Sequence, residues 1–495
     1  MKKKKHQEDI ELETEYEVDE SEMNVQDSVE ENEVEDGYED DEVYEDEYED
    51  EETLRRRERH SRRVRNQIIS YTVISILLIA IGVGLYFFIS FIGSYIKGYV
   101  AEQKAAAAVE EEVVNTEESA VIEAPAAIED PVVEDEEVID ESLFEEVDYL
   151  GEAVDATISQ MTLEDKVAQL FFVTPELLTG VNTATQAGDG TKAALDKIAV
   201  GGLIYDSKNI ESEEQVKALL ETTASMSKYE LFLAIAEPGG ESSVIGNSTI
   251  AEIPHVDAPS EIGASGDSNN SYYSGLTIST YLANLGFNLD MAPDGSIIKD
   301  DSSIAISTSY GQDEAVVYDM TGKMVEGLCE GKIGACMTGF PGNGNITAKT
   351  SEGIVESDIT AEELETQLLP YISGSAAGAK VIMVNNVTYT AADSSGVPAS
   401  VSMYIVGKLL RENMGFTGVV ITAPLSDKAI TENMTSAEAA VSAILAGADM
   451  IYMPDNLEEC YTGLLEAVNN GTVSEDRINE SLERIFRVKL EDDIQ

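Results

Sequence analysis

Three acidic residues each follow an apolar run with the length and composition of a buried strand. They are Glu237 after residues 231–236, Asp294 after residues 287–292, and Asp427 after residues 419–422. Carboxyl groups that lie close together can act as a general acid and a general base. Three interpretations stay open: rim charges of an acidic protein, which we prefer, a general acid/base pair, or metal ligands, although no ligand spacing supports a metal.

Residue types that serve in proton transfer and sugar stacking are scarce. The chain has no tryptophan and three histidines, His6, His60 and His255, although histidine is the commonest proton shuttle near neutral pH. Three cysteines are present, Cys329, Cys336 and Cys460, and their spacing matches no zinc site. Buried free thiols are the simplest interpretation, and a bridge from Cys329 to either other cysteine stays open. We therefore predict no cofactor and no metal.

Strand-like runs and helical patterns alternate through residues 149–495. The predicted strands are 201–205, 231–236, 287–292, 333–337, 381–385, 419–422 and 450–453. Enough chain separates them for crossover helices, so the pattern predicts an α/β fold, a TIM-type (β/α)8 barrel. A doubly wound α/β sheet is the alternative, but the chain lacks the glycine-rich phosphate loops that would favour it.

Capping signals mark the first and last helices of this region. Thr162 begins a helix that is predicted to run through Phe171, because its hydroxyl can accept a hydrogen bond from the first turn. Ser474 begins the last helix, whose apolar face includes Ile478 and Ile485.

The charge balance is very acidic, with 96 Asp and Glu against 31 Lys and Arg and a formal net charge of −65. Such a charge repels phosphates, so no nucleic-acid partner is expected. Residues 1–66 form a predicted disordered cytoplasmic tail, which opens with Lys2 to Lys5, is then acidic, and ends in an arginine cluster over 55–65. The tail either solvates the chain or docks a basic protein partner.

Residues 67–97 form a predicted single transmembrane helix. The run 68–96 contains no charged residue and exceeds the ~20 residues that a bilayer crossing needs. Arginines on its N-terminal side predict a cytoplasmic N-terminus and an extracytoplasmic C-terminal domain at the cell membrane. Residues 98–148, rich in Ala, Val and Glu, form a predicted extended stalk before the barrel.

A series of short motifs runs through the barrel region in a fixed order. They are MTLEDKVAQLF at 161–171, GGLIY at 201–205, NIE at 209–211, AP at 292–293, SYGQD at 309–313, FPG at 340–342, PASVS at 398–402, LRENMGFTGVVI at 410–421 and AGADM at 446–450. Together they resemble the N-terminal domain of glycoside hydrolase family 3, in its β-N-acetylglucosaminidase branch. The resemblance implies a barrel fold and retaining glycoside hydrolysis.

The resemblance places alanine and other unsuitable residues at the catalytic positions. The family's nucleophilic aspartate follows the strand at 419–422, where this chain has Ala423 and Pro424. Alanine cannot form a glycosyl-enzyme ester. The branch's acid/base histidine and the aspartate two residues before it correspond to Ser351 and Lys349, neither of which is a suitable proton shuttle.

The sugar-holding positions implied by the resemblance also differ from the family pattern. They hold Ala236, Pro238, Glu241, Ser296, Thr308, Thr338, Gly339, Asn343, Asn345 and Asn386. Residues left as candidates for binding in the pocket are Glu237, Asp294, Thr308, Thr338, Asn343, Asn386 and Asp427.

Three functional hypotheses follow. The first is a pseudoenzyme that serves as a binding or scaffolding module of the cell envelope, with a glycan or peptidoglycan as ligand. The second is an active β-N-acetylhexosaminidase-type glycosidase with relocated carboxylates. The third is a transmembrane adaptor that signals through its acidic tail.

Overall fold

A computed structural model of the chain describes residues 148–248, 250, 253–299 and 301–494, with only the backbone of 492–494. The predicted tail, membrane helix and stalk lie outside the described residues, except for Asp148 at the stalk's end. No helix within the described ranges is both long enough and apolar enough to cross a bilayer.

Eight parallel strands form the centre of the domain. They are β1 (Phe171–Val173), β2 (Gly202–Ile204), β3 (Phe232–Ile235), β4 (Leu289–Asp290), β5 (Gly334–Phe340), β7 (Val381–Val384), β9 (Val419–Thr422) and β10 (Ile451–Tyr452). They pair in the order β10-β1-β2-β3-β4-β5-β7-β9. A parallel bridge between Ile421 and Met450 links the two ends, so the sheet is nearly closed into a barrel. A short second sheet pairs β6 (Glu356–Ser357) with β8 (Thr388–Tyr389).

Helices surround these strands. They are α1 (Tyr149–Ser159), α2 (Leu163–Ala168), α3 (Pro175–Thr179), α4 (Asp189–Lys197), α5 (Glu213–Met226), α6 (Pro259–Ser265), α7 (Ser268–Leu285), α8 (Glu314–Glu330), α9 (Ala361–Gln367), α10 (Leu369–Ala376), α11 (Met403–Asn413, a π-helix), α12 (Lys428–Thr431), α13 (Ser436–Ala446), α14 (Leu457–Asn469) and α15 (Glu475–Ile494). Single 3₁₀ turns occupy Ser207–Asn209, Gly240–Ser242 and Ala399–Val401. The architecture is that of a TIM-type α/β fold.

Alternate residues of each strand point to opposite faces of the sheet, which creates two apolar layers. Phe172, Ala234, Leu289 and Ile421 belong to a small cluster inside the barrel, which Ile485 of α15 joins. The residues between them belong to a larger cluster that packs against the helices. This alternation therefore predicts which residues beyond each strand end face the barrel mouth.

A buried ion cluster attaches α15 to the barrel. The carboxylate of Asp449 is fully buried and pairs with the guanidinium groups of Arg411, Arg477 and Arg484. Ser481 donates a further hydrogen bond of 2.9 Å to it. Because α11, α15 and the turn between α13 and β10 all contribute, this cluster fixes three parts of the fold to one another.

The seven predicted strands all exist, and the last helix begins and packs as predicted, with Ile478 and Ile485 buried. The predicted extension of the first helix through Phe171 is wrong. The helix capped by Thr162 ends at Ala168, and Phe171 opens β1. Three consecutive buried apolar residues, two of them aromatic, pair between β10 and β2, which favours a central strand over a helix.

The structure also shows whether the two disulfide bridges considered from the sequence form. Cys336 and Cys460, both within the described range, are free thiols. Neither of the two bridges considered from the sequence therefore forms.

Candidate functional site

The inner positions at the carboxyl ends of the strands line the mouth of the barrel. Ala236, Met383, Tyr452 and Met453 lie there, partly buried against the interior cluster. Ala423, the residue after β9, is 7% exposed, and its amide donates to the carbonyl of Val384. A methyl group thus occupies the position after β9, on a largely apolar floor.

The carboxylate of Asp294 lies at one side of the mouth, and its neighbours use both of its oxygens. Ser296 donates to Oδ1 from its hydroxyl at 2.6 Å and from its amide at 3.0 Å. Thr308 donates to Oδ2 at 2.8 Å. Burial raises the pKa of Asp294, while the hydrogen bonds from Ser296 and Thr308 oppose that rise. This carboxylate therefore holds together the loop between β4 and α8.

An amide network extends from Asp294 toward β7. The backbone amide of Asn343 donates a hydrogen bond to Ser296 Oγ at 2.9 Å. Asn385 Nδ2 lies 2.8 Å from both Asn343 Oδ1 and the hydroxyl of Tyr389. The candidates Asp294, Thr308 and Asn343 therefore belong to one connected group. Thr338, also a candidate, is half-buried beside them, and its backbone bridges to Asp294.

Asp427 belongs to a second group. Its Oδ2 accepts from Thr350 Oγ1 at 2.6 Å and from Asn386 Nδ2 at 3.1 Å. Asn386 in turn accepts from Ser400 at 2.6 Å. Two predicted site residues, Asp427 and Asn386, thus meet beside the end of β9, in a hydrogen-bonded arrangement that joins three loops.

The loop that would carry the acid/base is anchored by this second group. Lys349 and Ser351 are exposed on either side of Thr350, whose hydroxyl bonds to Asp427. The loop therefore lies near the β9 end, but an ammonium and a hydroxyl occupy the two positions that the family resemblance assigns to proton transfer.

Glu237 lies away from the mouth, in the layer between sheet and helices. It is fully buried and accepts from the amides of Ile245 and Gly246 and from the Tyr281 hydroxyl at 2.7–2.8 Å. Its own amide donates to Asp290 Oδ1 at 2.8 Å. Glu237 therefore shapes the loop after β3 and does not join the other candidates.

Polar side chains fill the space around Gly339, near the end of β5. Its φ is +83°, and a Cβ built there would lie 2.8–2.9 Å from Asp294 Oδ1, Asn343 Nδ2 and Ser296 Oγ. The resemblance implies a histidine at this position. The polar network thus occupies room that a larger side chain would need.

Asp206 is a mouth residue that the sequence analysis missed. It is exposed directly after Tyr205, and its Oδ1 accepts from the amide of Ser207. Its charge reaches Tyr452, whose pKa is raised first by burial and then by Cys336 and Asp206. Its position just after the predicted strand 201–205 was the available signal. No group of His, Cys, Asp or Glu in the described ranges is arranged to hold a metal.

The pattern that defines the glycosyl hydrolase family 3 N terminal domain matches residues 162–488. The chain belongs to glycosyl hydrolase family 3. This match covers the barrel from the start of α2 into α15, and it confirms the family resemblance that the sequence motifs indicated.

Characterised relatives of this family 3 chain are named as glycosidases. It is 24% identical over 347 residues to a β-N-acetylglucosaminidase/β-glucosidase of Cellulomonas fimi, covering 68% of this chain and 59% of the relative. It is 24% identical over 327 residues to β-hexosaminidase A of Pseudoalteromonas piscicida, covering 60% and 54%. The chain thus matches less than two thirds of the length of either relative.

Two solved structures superpose on about two thirds of this chain. A family 3 β-N-acetylglucosaminidase from Paenibacillus sp. str. FPU-7 superposes with a TM-score of 0.61 at 27% identity, over 66% of this chain and 62% of that chain. A β-N-acetylhexosaminidase from Beutenbergia cavernae superposes with a TM-score of 0.60 at 23% identity, over 67% and 99%. The second likeness bears on the fold alone.

Proposed function

We propose that this family 3 barrel is a pseudoenzyme that binds glycan or serves as a scaffold at the cell envelope. The observation that carries the proposal is Ala423. It follows β9 at the mouth of the barrel, where the family uses a nucleophilic carboxylate, and a methyl group can neither attack a sugar nor stabilise an oxocarbenium ion.

The remaining carboxylates support this proposal because they hold loops together. Both oxygens of Asp294 accept hydrogen bonds from neighbouring loop residues, and Asp427 Oδ2 accepts from two. Glu237 is buried behind the barrel wall. A nucleophile or acid needs an oxygen directed at substrate, whereas both oxygens of Asp294 and of Glu237, and Oδ2 of Asp427, bond to protein groups.

The test is hydrolysis of a chromogenic β-N-acetylglucosaminide by the purified full chain in detergent. An active β-hexosaminidase in the same detergent serves as the positive control, and Ala423→Asp is measured beside the native protein. We expect no turnover by the native chain. Turnover by Ala423→Asp alone would mean that a pocket competent to bind sugar survives, whereas turnover by the native protein would overturn the proposal.

Binding is measured separately, by titrating N-acetylglucosamine oligomers into the native chain. Tyr452 at the mouth and the exposed Tyr318 on α8 form a matched pair for substitution by leucine. We expect Tyr452→Leu to weaken binding roughly tenfold, because stacking contacts at a sugar site are lost, and Tyr318→Leu to leave it unchanged. If no oligomer binds, a scaffolding role without glycan recognition replaces the binding role. Binding that neither variant changes would place the glycan site away from Tyr452.

An active glycosidase with relocated carboxylates is the second candidate. The named activities of the relatives and the exposed carboxylate of Asp206 at the mouth favour it. It requires native turnover that falls at least about 100-fold in Asp206→Asn or Asp427→Asn and persists in Asp319→Asn, an exposed aspartate on α8. Native turnover unaffected by either mouth substitution would contradict it.

A further inference from the structure

A groove of about 1010 Å³ lies on the outside of the barrel, between α10, the end of α11 and α15. Its apolar lining comes from Leu150, Ile372, Met414, Phe416 and Val488. Ile372 is 42% exposed. Apolar side chains that stay accessible in a groove favour a peptide ligand that brings apolar side chains of its own.

The lining of this groove has a slight excess of cations over acids, whereas the chain as a whole is strongly acidic. Four cationic residues line it, Lys380, Arg411, Arg484 and Arg487, against three acidic residues of α15, whereas acids outnumber bases about threefold in the sequence. Two of these cations, Arg411 and Arg484, share the single buried carboxylate of Asp449 with Arg477, which lies outside the lining. The groove therefore favours an acidic occupant.

The polypeptide enters the described domain at the edge of the groove. Asp148 Oδ2 accepts from Arg487 Nη2 at 2.9 Å, and its Oδ1 accepts from the amide of Gly151 at 2.8 Å. Leu150, two residues later, already lines the groove. The ten residues that precede Asp148 are thus attached directly beside it, and an extended chain of that length can span up to about 35 Å.

Those ten residues, 138–147, read VIDESLFEEV. Val138, Ile139, Leu143, Phe144 and Val147 are apolar, and the other side chains are acidic except for Ser142. This composition complements a groove that combines apolar side chains with cations. Covalent attachment adds an effective concentration in the millimolar range, which favours this segment over a free peptide.

We propose that residues 138–147 dock in this groove, with their apolar side chains on Ile372, Met414 and Val488 and their carboxylates toward the arginines. Docking buries apolar surface and brings opposite charges together, so it weakens as salt is raised. The proposal is independent of whether the barrel mouth is catalytic, because the groove lies on the outer surface between helices.

Hydrogen exchange on the full chain in detergent tests the proposal. We expect the amides of 139–147 to exchange roughly tenfold more slowly than an unstructured peptide of the same sequence. Leu143→Glu with Phe144→Glu should abolish that protection. Val113→Glu with Val114→Glu, which adds the same charge elsewhere in the predicted stalk, should preserve it.

A substitution in the groove itself gives a second test, with a matched substitution elsewhere as its control. Ile372→Glu should abolish the protection of 139–147, while Leu445→Glu, at a site on α13 that is equally exposed at 45%, should preserve it. Unchanged circular dichroism confirms that both variants fold. Exchange of 139–147 at the unstructured rate, or protection that survives Ile372→Glu, would overturn the proposal. Protection that depends on protein concentration would assign the groove to a second copy of the chain and overturn it too.

Discussion

At the scale of single residues, Asp290 at the end of β4 has an unusual environment for a carboxyl group. It is fully buried, and its Oδ2 has no hydrogen-bond partner among the described residues. Burial, followed by the charge of Glu237, raises its pKa well above the usual range. In the unfolded chain this carboxyl group ionises near pH 3.9. Between that pH and its raised pKa, the folded protein therefore binds one more proton than the unfolded chain.

We therefore expect Asp290→Asn to stabilise the protein at pH 7.5. The native protein loses stability as pH rises from about 4 to the raised pKa of Asp290. Asparagine removes that loss, and its side-chain oxygen can still accept the hydrogen bond from the backbone amide of Glu237. The gain should be about 1–3 kcal/mol at pH 7.5 and should shrink toward pH 4. Urea unfolding at the two pH values measures it, with Asp319→Asn as the exposed control. An equal effect at both values would contradict the ionisation argument.

Gly339 supports a second prediction at this scale. Gly339→Ala meets two penalties: a left-handed φ of +83° and contacts below 3.0 Å with the network around Asp294. Gly266→Ala, where φ is +68° and nothing lies within 4 Å, meets only the first. We expect about 1–2 kcal/mol of lost stability for Gly266→Ala and a further 1–3 kcal/mol or so for Gly339→Ala, measured by urea unfolding. Equal losses would show that the network adapts freely.

At the scale of elements, the strands were readable from the sequence because parallel central strands are apolar on both faces. The run 419–422 matches β9 residue for residue. Phe171 was misassigned because the helical period of α2 continues into it, and only pairing with β2 and β10 shows it to be a strand. Such pairing joins residues far apart in sequence, so local pattern cannot show it.

The cluster around Asp449 supports a prediction about the attachment of α15. Asp449→Ala leaves three largely buried guanidinium groups without their shared carboxylate. We expect a loss of about 3–5 kcal/mol in the free energy of unfolding. Glu412→Gln breaks the exposed pair of Glu412 with Lys408 on α11 and should cost below about 0.5 kcal/mol. Similar losses for the two variants would mean that the cluster contributes no more than a surface ion pair.

At the scale of the whole molecule, the residues singled out from the sequence fall into separate hydrogen-bonded groups. Asp294, Thr308 and Asn343 were singled out and do share one network. Glu237 was grouped with them, yet it points behind the barrel wall, because side-chain direction after a strand depends on register and bends that a single sequence does not specify. Asp206 was overlooked because an aspartate after a strand resembles an ordinary turn residue.

The membrane anchor remains a prediction, and it can be tested on the full chain in a bacterial host. Residues 68–96 carry no charge and seven arginines precede them within 55–65, so the basic flank should stay in the cytoplasm. Protease added to spheroplasts should therefore remove the barrel and spare an epitope at residue 1. Deletion of 68–96 should release the chain from the membrane fraction. Substitution of the seven arginines by glutamine should expose the epitope in part of the population, because orientation then loses its main determinant. A barrel protected in spheroplasts of the native strain would contradict the topology.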